Sequence, residues 1–312
     1  MQKHSEDEPA APVWAIVLAG GEGVRLRQLV RELCGDERPK QFAKIVGSKS
    51  LLGHTLERVG LEIPPKRTII VTCRAHSDYM AREFAEAPPH KVLVQPHDRG
   101  TAAGILFPAH WIYSADPDAV VAVFPSDHFI LEGDVFMRHI DKVATFVRRQ
   151  PERIVLIGAQ ADTAETEYGW IEPGETLGQV GATPILRVTR FWEKPSEVQA
   201  RACLEARCFW NTFVLVAKFP TLLDVGRKIL PDLSERMVRA ARHVAAGEVV
   251  AAEREYGYAP KADFSRTILQ GYPKALAVSP LPAVTWSDLG TPHRVKRTLQ
   301  MMAPMALSSA AV

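Results

Sequence analysis

Residues Val13–Phe42 read VWAIVLAGGEGVRLRQLVRELCGDERPKQF, and the order of residue types in this stretch decides how the chain is organised. Val13 to Leu18 is an apolar run with the length and β-branched content of a buried strand. It breaks into Ala19-Gly20-Gly21-Glu22-Gly23, whose glycines free the backbone from the Cβ restriction. Such a loop turns tightly, aims several N–H groups at one point and lets a phosphate chain approach the main chain. Arg25 and Lys40 flank it. A strand, a glycine loop and two cations make an anion site, best suited to a polyphosphate. Taken alone the loop is also compatible with a plain strand-to-helix turn: Leu26 stands where a dinucleotide fingerprint needs its third glycine, and no Lys-Ser/Thr pair makes it a Walker loop.

Downstream, apolar runs and helical periodicities alternate. Helical spacing covers Ser50–Val59 with Ser50 as cap, His76–Ala87 ended by Pro88-Pro89, Ala102–Tyr113 with a kink expected at Pro108, and Asp134–Arg149. Buried-type strands are expected at Thr68–Cys73, Lys91–Val94, Ala119–Phe124 and Arg153–Gly158. This alternation predicts an α/β fold with a mostly parallel central sheet and helices on both faces. From Tyr168 the pattern turns β-rich, through YGWIEPG, Ile185–Trp192 and Phe209–Lys218, which predicts a smaller β-rich lobe. Helices across Thr221–Gly247, a strand at Ala275–Ser279 and a helix over Pro292–Met302 follow. With no repeat or low-complexity linker, one domain is expected over residues 13–303, between a disordered tail at 1–12 and a frayed tail at 304–312. The Leu/Val/Arg-rich helices of Thr221–Gly247 serve either as a homodimer surface or as ordinary core.

The 312 residues carry a formal charge of +2 with acids and bases interspersed, which gives no basis for a nucleic-acid or membrane partner. Apolar runs are strand-length, too short for a bilayer. The N-terminus, MQKHSEDEPAAP, is polar and acidic where a signal peptide would be basic then apolar, so a cytoplasmic chain is expected. Cys34, Cys73, Cys203 and Cys208 have neither zinc nor redox spacing and read as free thiols.

Several polar residues stand where a sheet would present them. Asp127 follows AVVAVF directly, at the carboxyl edge where open α/β sheets bind ligands, and suits Mg2+; the competing reading is a loop or helix cap. Asp288, in WSDLG, is the second carboxylate able to clamp the same metal, or else ordinary turn chemistry. Glu193-Lys194-Pro195 ends a strand and either reads sugar hydroxyls and a phosphate or is a solvated turn. Asn211 is a lone amide at the head of an apolar strand, a sugar contact or a satisfied strand amide. His97 and His128 read as structural.

Five motifs in this order, LAGGEGVRL with PKQF, QPHDRGTA, FPSDH, YGWIEPG with FWEKP, and WNTF with WSDLG, make the chain resemble the sugar-1-phosphate nucleotidyltransferases, most of all the mannose-1-phosphate guanylyltransferases. The resemblance runs from Val13 to about Thr298 and implies the Rossmann-like nucleotide-diphospho-sugar transferase fold, with the β-rich lobe binding sugar. It implies that Leu18, Ala19, Gly20, Gly21 and Gly23 hold the nucleoside triphosphate, with Arg25 and Lys40 on its phosphates and Gln95, Arg99, Gly100 and Thr101 near the base. Asp127 and Asp288 would bind Mg2+, and Arg25, Lys40 and Asp127 would carry catalysis. Gly169, Glu193, Asn211 and Asp263 would contact the sugar, and Lys194 its phosphate. The implied reaction is in-line attack of a sugar-1-phosphate oxygen on the α-phosphorus, releasing pyrophosphate, with GTP and mannose 1-phosphate the expected pair. Another base or sugar, or a nucleotide-sugar sensor, is the alternative. The chain departs from the family in three places: the long RQLVRELCGDER link, Gln95-Pro96 in the base loop, and Asn211-Thr212-Phe213 in place of a loop ending in glycine.

Overall fold

A computed structural model describes residues 11–85 and 91–309, with side chains to 302. The expected disorder at 1–10, the Pro88-Pro89 helix stop and residues 310–312 lie outside that range. The chain opens with β1 (Val13–Leu18), which the glycine loop joins to α1 (Arg27–Cys34). Next come α2 (Leu51–Val59), β2 (Thr68–Cys73), α3 (Ser77–Glu83) and β3 (Lys91–Gln95). α4 (Gly100–Ala115) runs unbroken through Pro108 into β4 (Val120–Pro125). The two-residue strand β5 (Phe129–Ile130), α5 (Gly133–Arg149) and β6 (Ile154–Gln160) complete the first half. The long hairpin β7 (Gly169–Val180) and β8 (Thr183–Glu193) leads to α6 (Glu197–Glu205) and β9 (Phe209–Lys218). Three helices follow, α7 (Phe219–Ile229), α8 (Pro231–Ala245) and α9 (Val249–Gly257). Then β10 (Leu276–Pro280), the short β11 (Trp286–Ser287) and α10 (Pro292–Ser309) close the chain.

The large sheet has the order β3-β2-β1-β4-β9-β6-β10-β8-β7. β9 and β8 run against the other strands, so the sheet is mixed but mostly parallel. Alternation along β1 explains why both faces are covered: Ile16 joins one core with α4, α7 and α8, while Ala15 and Val17 join a second with α2 and α5. The β-rich stretch continues this sheet rather than standing apart from it, and β7 turns back at Trp170 and Ile171 to pair with β9. Leu222, Leu223, Leu233 and Met237 of α7 and α8 are buried in the first core, so core packing accounts for the apolar residues considered for a dimer face. α10 carries on past Met302 to Ser309, through the segment expected to fray.

The RQLVRELCGDER link resolves into α1. Gly35 at φ 79° ends it, and Leu26 and Val30 dock with Leu289 and Val295 in a small third core.

β1 lies between β2 and β4, with β3 reached on one side and β9 on the other. Such a switch in winding direction leaves a crevice at the carboxyl ends of the strands, where doubly wound folds bind ligands. The glycine loop after β1 and Asp127 after β4 both fall there.

Candidate active site

The glycine loop divides this crevice into two cavities, and Gly21 lines both. The larger, about 350 Å³, is lined by Leu18, Gly21, Arg25, Thr101, Asp127 and Asp288 together with Gly169, Glu193, Lys194, Asn211 and Asp263. The smaller, about 230 Å³, lies between Gly20–Glu22, Cys73–His76 and Gln95–Asp98. Residues scattered over most of the chain thus meet at one place.

Lys40 and Asp127 form the centre. The Lys40 ammonium is buried, 3.0 Å from Asp127 Oδ2, and donates to the carbonyls of Asp288 (2.6 Å) and Leu289 (3.3 Å). Burial alone would raise the Asp127 carboxyl, but Lys40, with His128 beside it, outweighs that and holds it below the usual carboxylate range. Burial also pushes His128 down to about 4, so it is neutral near pH 7 and fits a structural role beside Trp286. Gly23 explains how Lys40 reaches its place: at φ 63° it packs so closely that an added Cβ would lie 2.8 Å from the Lys40 amide nitrogen. Gly23 therefore shapes the loop and lines neither cavity, and buried Ala19 holds the loop through its carbonyl, which accepts from Gln41 Nε2 at 2.9 Å.

Asp288 is fixed by partners from three parts of the chain. Its Oδ1 accepts from the Tyr168 hydroxyl (2.8 Å), the Gly290 amide (3.0 Å) and Arg294 Nη1 (3.2 Å), while Oδ2 accepts, among the described residues, from Arg294 Nη1 alone at 3.1 Å. Arg294 also pairs with Glu165 at 2.7 Å and lies over the Tyr168 ring. Asp127 and Asp288 line the same cavity, Asp127 with a side chain 35% exposed. One open carboxylate and one with a lightly used oxygen fit a hard cation that also takes phosphate oxygens. Among the described residues no cluster of three or more His, Cys, Asp or Glu forms a metal cage.

On the opposite wall three strand ends converge. A Cβ at Gly169 would meet Phe191 Cζ at 2.8 Å, Glu193 Oε2 at 3.0 Å and Asn211 Cβ at 3.2 Å, so glycine is what lets Glu193 and Asn211 approach each other. Burial, reinforced by the neighbouring Asp263 carboxylate, pushes Glu193 up to about 7 against the pull of Lys194 and Arg266. Lys194 (φ 51°), Phe213 (φ 60°) and Leu289 (φ 48°) all adopt the left-handed conformation at this site. Side-chain-bearing residues held there store strain that clusters at functional sites. Phe213 takes the backbone shape that a glycine would have supplied in the WNTF loop, and Asn211 Oδ1 accepts from its amide at 3.1 Å.

Not every expected residue reaches a cavity. The Arg99 guanidinium turns away to the Gly257 carbonyl, and Gly100 at φ 79° is packed on the Ala262 backbone. Arg25 lines the large cavity but is exposed and paired with Glu167 at 3.0 Å across its mouth. Gln95 lines the small cavity, where the buried Tyr256 hydroxyl donates to its Oε1 at 2.6 Å. Burial, the main cause, keeps that phenol protonated and hence a donor. The Gln95 amide is thereby turned with Nε2 toward the glycine loop, 2.8 Å from where a Gly20 Cβ would be.

Residues 14–300 match the family described as Nucleotidyl transferase, and the chain belongs to it. It is 29% identical over 292 residues to Mannose-1-phosphate guanylyltransferase 2 of Escherichia coli O157:H7, spanning 90% of this chain and 58% of that protein. It is 28% identical to the Alginate biosynthesis protein AlgA of Pseudomonas syringae pv. tomato, spanning 88% of this chain and 56% of that one. The chain thus spans little more than half the length of these relatives. A crystal structure described as mannose-1-phosphate geranyltransferase from Thermus thermophilus superposes with a TM-score of 0.73 at 28% identity, covering 89% of this chain and 76% of that one. A UDP-glucose pyrophosphorylase complexed with UDP-glucose shares the fold at 13% identity, with a TM-score of 0.57 over 95% of this chain and 99% of that chain. Among the described residues, no helix is long and apolar enough to cross a membrane.

Proposed function

We propose that the chain transfers a guanylyl group from GTP to mannose 1-phosphate, giving the nucleotide sugar and pyrophosphate. The observation that carries this reading is the pair of cavities joined at Gly21, one fit for a base and the other lined by Asp127, the ion-pair partner of buried Lys40, and by the Gly169–Glu193–Asn211 wall. The nucleotide lies across the glycine loop, its base in the small cavity and its phosphates entering the large one. Gln95 Nε2 donates one N–H to Cys73 Sγ at 3.9 Å and keeps the second for the cavity, which suits a base presenting a carbonyl acceptor, such as the O6 of guanine or the O4 of uracil and thymine, over the amino groups of adenine and cytosine. Relatives that carry the guanylyltransferase name favour GTP within that set.

The acceptor sugar lies against Glu193 and Asn211, with Lys194 on its phosphate. A phosphate monoester has a second pKa of about 6, so the attacking oxygen is already largely anionic at neutral pH and the chain supplies no general base. The barrier is the approach of two polyanions, which Arg25, Lys40 and Lys194 lower by charge and by position. Asp127 and Asp288 are the residues that would hold Mg2+, which when bound neutralises charge on the phosphates. The cytoplasm is the compartment consistent with such substrates.

Steady-state pyrophosphate release tests the reading directly. Turnover is expected with GTP and mannose 1-phosphate, less with UTP or dTTP, and least with ATP or CTP. A clear preference for UTP or dTTP would overturn the guanylyl assignment.

A further inference from the structure

Arg58, on α2, is a cation the reaction does not use. It is 7% exposed, and among the described residues its only hydrogen bond is from Nη2 to Thr55 Oγ1 at 3.1 Å. Its Nε is buried with no partner, and its remaining polar contact is the face of the Phe136 ring, 5.9 Å from the guanidinium carbon. Burial depresses its pKa to about 10, with no acid opposing the shift. A buried charge is ordinarily paired, because desolvation is costly and an ion left alone inside a protein destabilises it.

Arg58 lines a cavity of about 290 Å³ with His54, Glu57, His128, Phe129 and Asp134, close to the lower end of small-ligand sites. Both acids there are already committed outward, Glu57 to Lys49 and Asp134 to Arg138, each at 2.9 Å. The cavity therefore keeps one uncompensated positive charge. Its geometry is also fixed. A Cβ at Gly133, the first residue of α5, would lie 3.2 Å from Arg58 Cγ and 3.4 Å from Cδ, so the arginine stem runs directly against that glycine. His54 Nε2 is held by the Val46 carbonyl at 2.7 Å, leaving Nδ1 without a hydrogen bond among the described residues. His128 lines this cavity and the catalytic one alike, and it is the neighbour of Asp127.

We propose that this cavity binds a small phosphate-bearing anion on the Arg58 guanidinium, as a second site apart from the triphosphate cleft and in contact with it through His128. The planar guanidinium, whose Nη1 makes no hydrogen bond among the described residues and, unlike Nε, is not fully covered, suits a tetrahedral oxyanion, which its terminal nitrogens can grip through charge-assisted hydrogen bonds. The anion supplies the countercharge that the chain withholds. Free phosphate and the phosphate of a small metabolite share this chemistry.

Isothermal titration of inorganic phosphate and of glycerol 3-phosphate into the full chain tests this, with Arg58→Met and Lys194→Ala alongside. The expected result is a phosphate site that R58M weakens at least tenfold and K194A leaves intact. Tighter binding of glycerol 3-phosphate through Arg58 assigns the site to a metabolite; equal or weaker binding assigns it to free phosphate. In phosphate-free buffer R58M is expected to melt at or above the wild-type temperature and to gain less from added phosphate. Identical isotherms for R58M and wild type overturn the proposal, as does phosphate binding wholly removed by K194A. Failure of R58M to fold in phosphate-free buffer overturns it as well, since Arg58 would then be a structural group without need of a ligand.

Discussion

Lys40→Met withdraws the ammonium that holds Asp127 while keeping most of the side-chain volume. Lys40 is 7% exposed and Asp127 35%, at 3.0 Å, so the pair lies between a buried and a surface ion pair. Breaking a buried pair from one side costs about 3–5 kcal/mol, whereas exposed pairs contribute about 0–1 kcal/mol. The half-open position of Asp127 puts the expected loss at about 2–3 kcal/mol, roughly 30- to 150-fold in the unfolding equilibrium. Asp127→Asn is expected to cost less, and the double variant to recover about 2 kcal/mol relative to the sum of the singles. The pH dependence has a definite sign. Because the Asp127 carboxyl lies below its ordinary value of 3.8, its contribution is present above that value and is lost as pH falls through the lower folded value. The gap between wild type and K40M is therefore level from about pH 8 to about pH 5 and closes below about pH 4. Urea unfolding followed by circular dichroism, in buffer with EDTA, measures both quantities. Single-variant losses that add to within about 0.5 kcal/mol, or a gap that widens as pH falls below about 4, would refute the pairing.

Three further outcomes are expected. Tyr256→Phe frees the Gln95 amide to rotate, so the preference for GTP over ATP should narrow by about tenfold, the worth of one hydrogen bond near 1.4 kcal/mol, with kcat little changed; an unchanged GTP/ATP ratio in kcat/KM would show that Tyr256 does not orient Gln95. Glu193, with its carboxyl raised to about 7 from 4.5, binds its proton more tightly folded than unfolded, so its contribution to stability is greatest below about pH 4.5 and is lost as pH rises through about 7. Glu193→Gln should therefore melt higher than wild type at about pH 8 and similarly at about pH 5, and a melting difference independent of pH would contradict this. Asp127→Ala should lose on the order of 10²-fold or more in turnover while keeping its far-ultraviolet circular dichroism, and near-normal turnover would remove Asp127 from the site.

Much of this arrangement was legible from residue order. Apolar runs marked β1, β2, β4 and β6 because strands buried on both faces exclude polar residues, and Gly21, Asp127, Glu193 and Asn211 were visible because each stands near a strand end. What escaped was what only tertiary contact creates. β5 and β11 are two residues each and carry no periodicity, yet they pair with one another and bring Phe129 and Asp288 toward the same side of the molecule. Arg294 lies in no motif, and nothing in YGWIEPG marks Tyr168 as a partner of Asp288, though both fix it. Arg99 belonged to a recognisable loop, but the nearby end of α9 drew its guanidinium away. Where the WNTF stretch lacks a glycine, Phe213 adopts the glycine-like conformation and adds its side chain to the cavity lining, neither of which the sequence alone shows. Arg58 lies on an amphipathic helix where an arginine reads as solvent-facing, and only the packing of Gly133 against it shows otherwise.

The most direct test of the account is a single-turnover reaction of the full chain with GTP, mannose 1-phosphate and Mg2+, resolved by phosphorus NMR. Pyrophosphate and GDP-mannose are expected to appear together in equal amounts, with no free phosphate and no product in EDTA. Release of inorganic phosphate, or no pyrophosphate with any pairing of nucleoside triphosphate and sugar 1-phosphate, would contradict it.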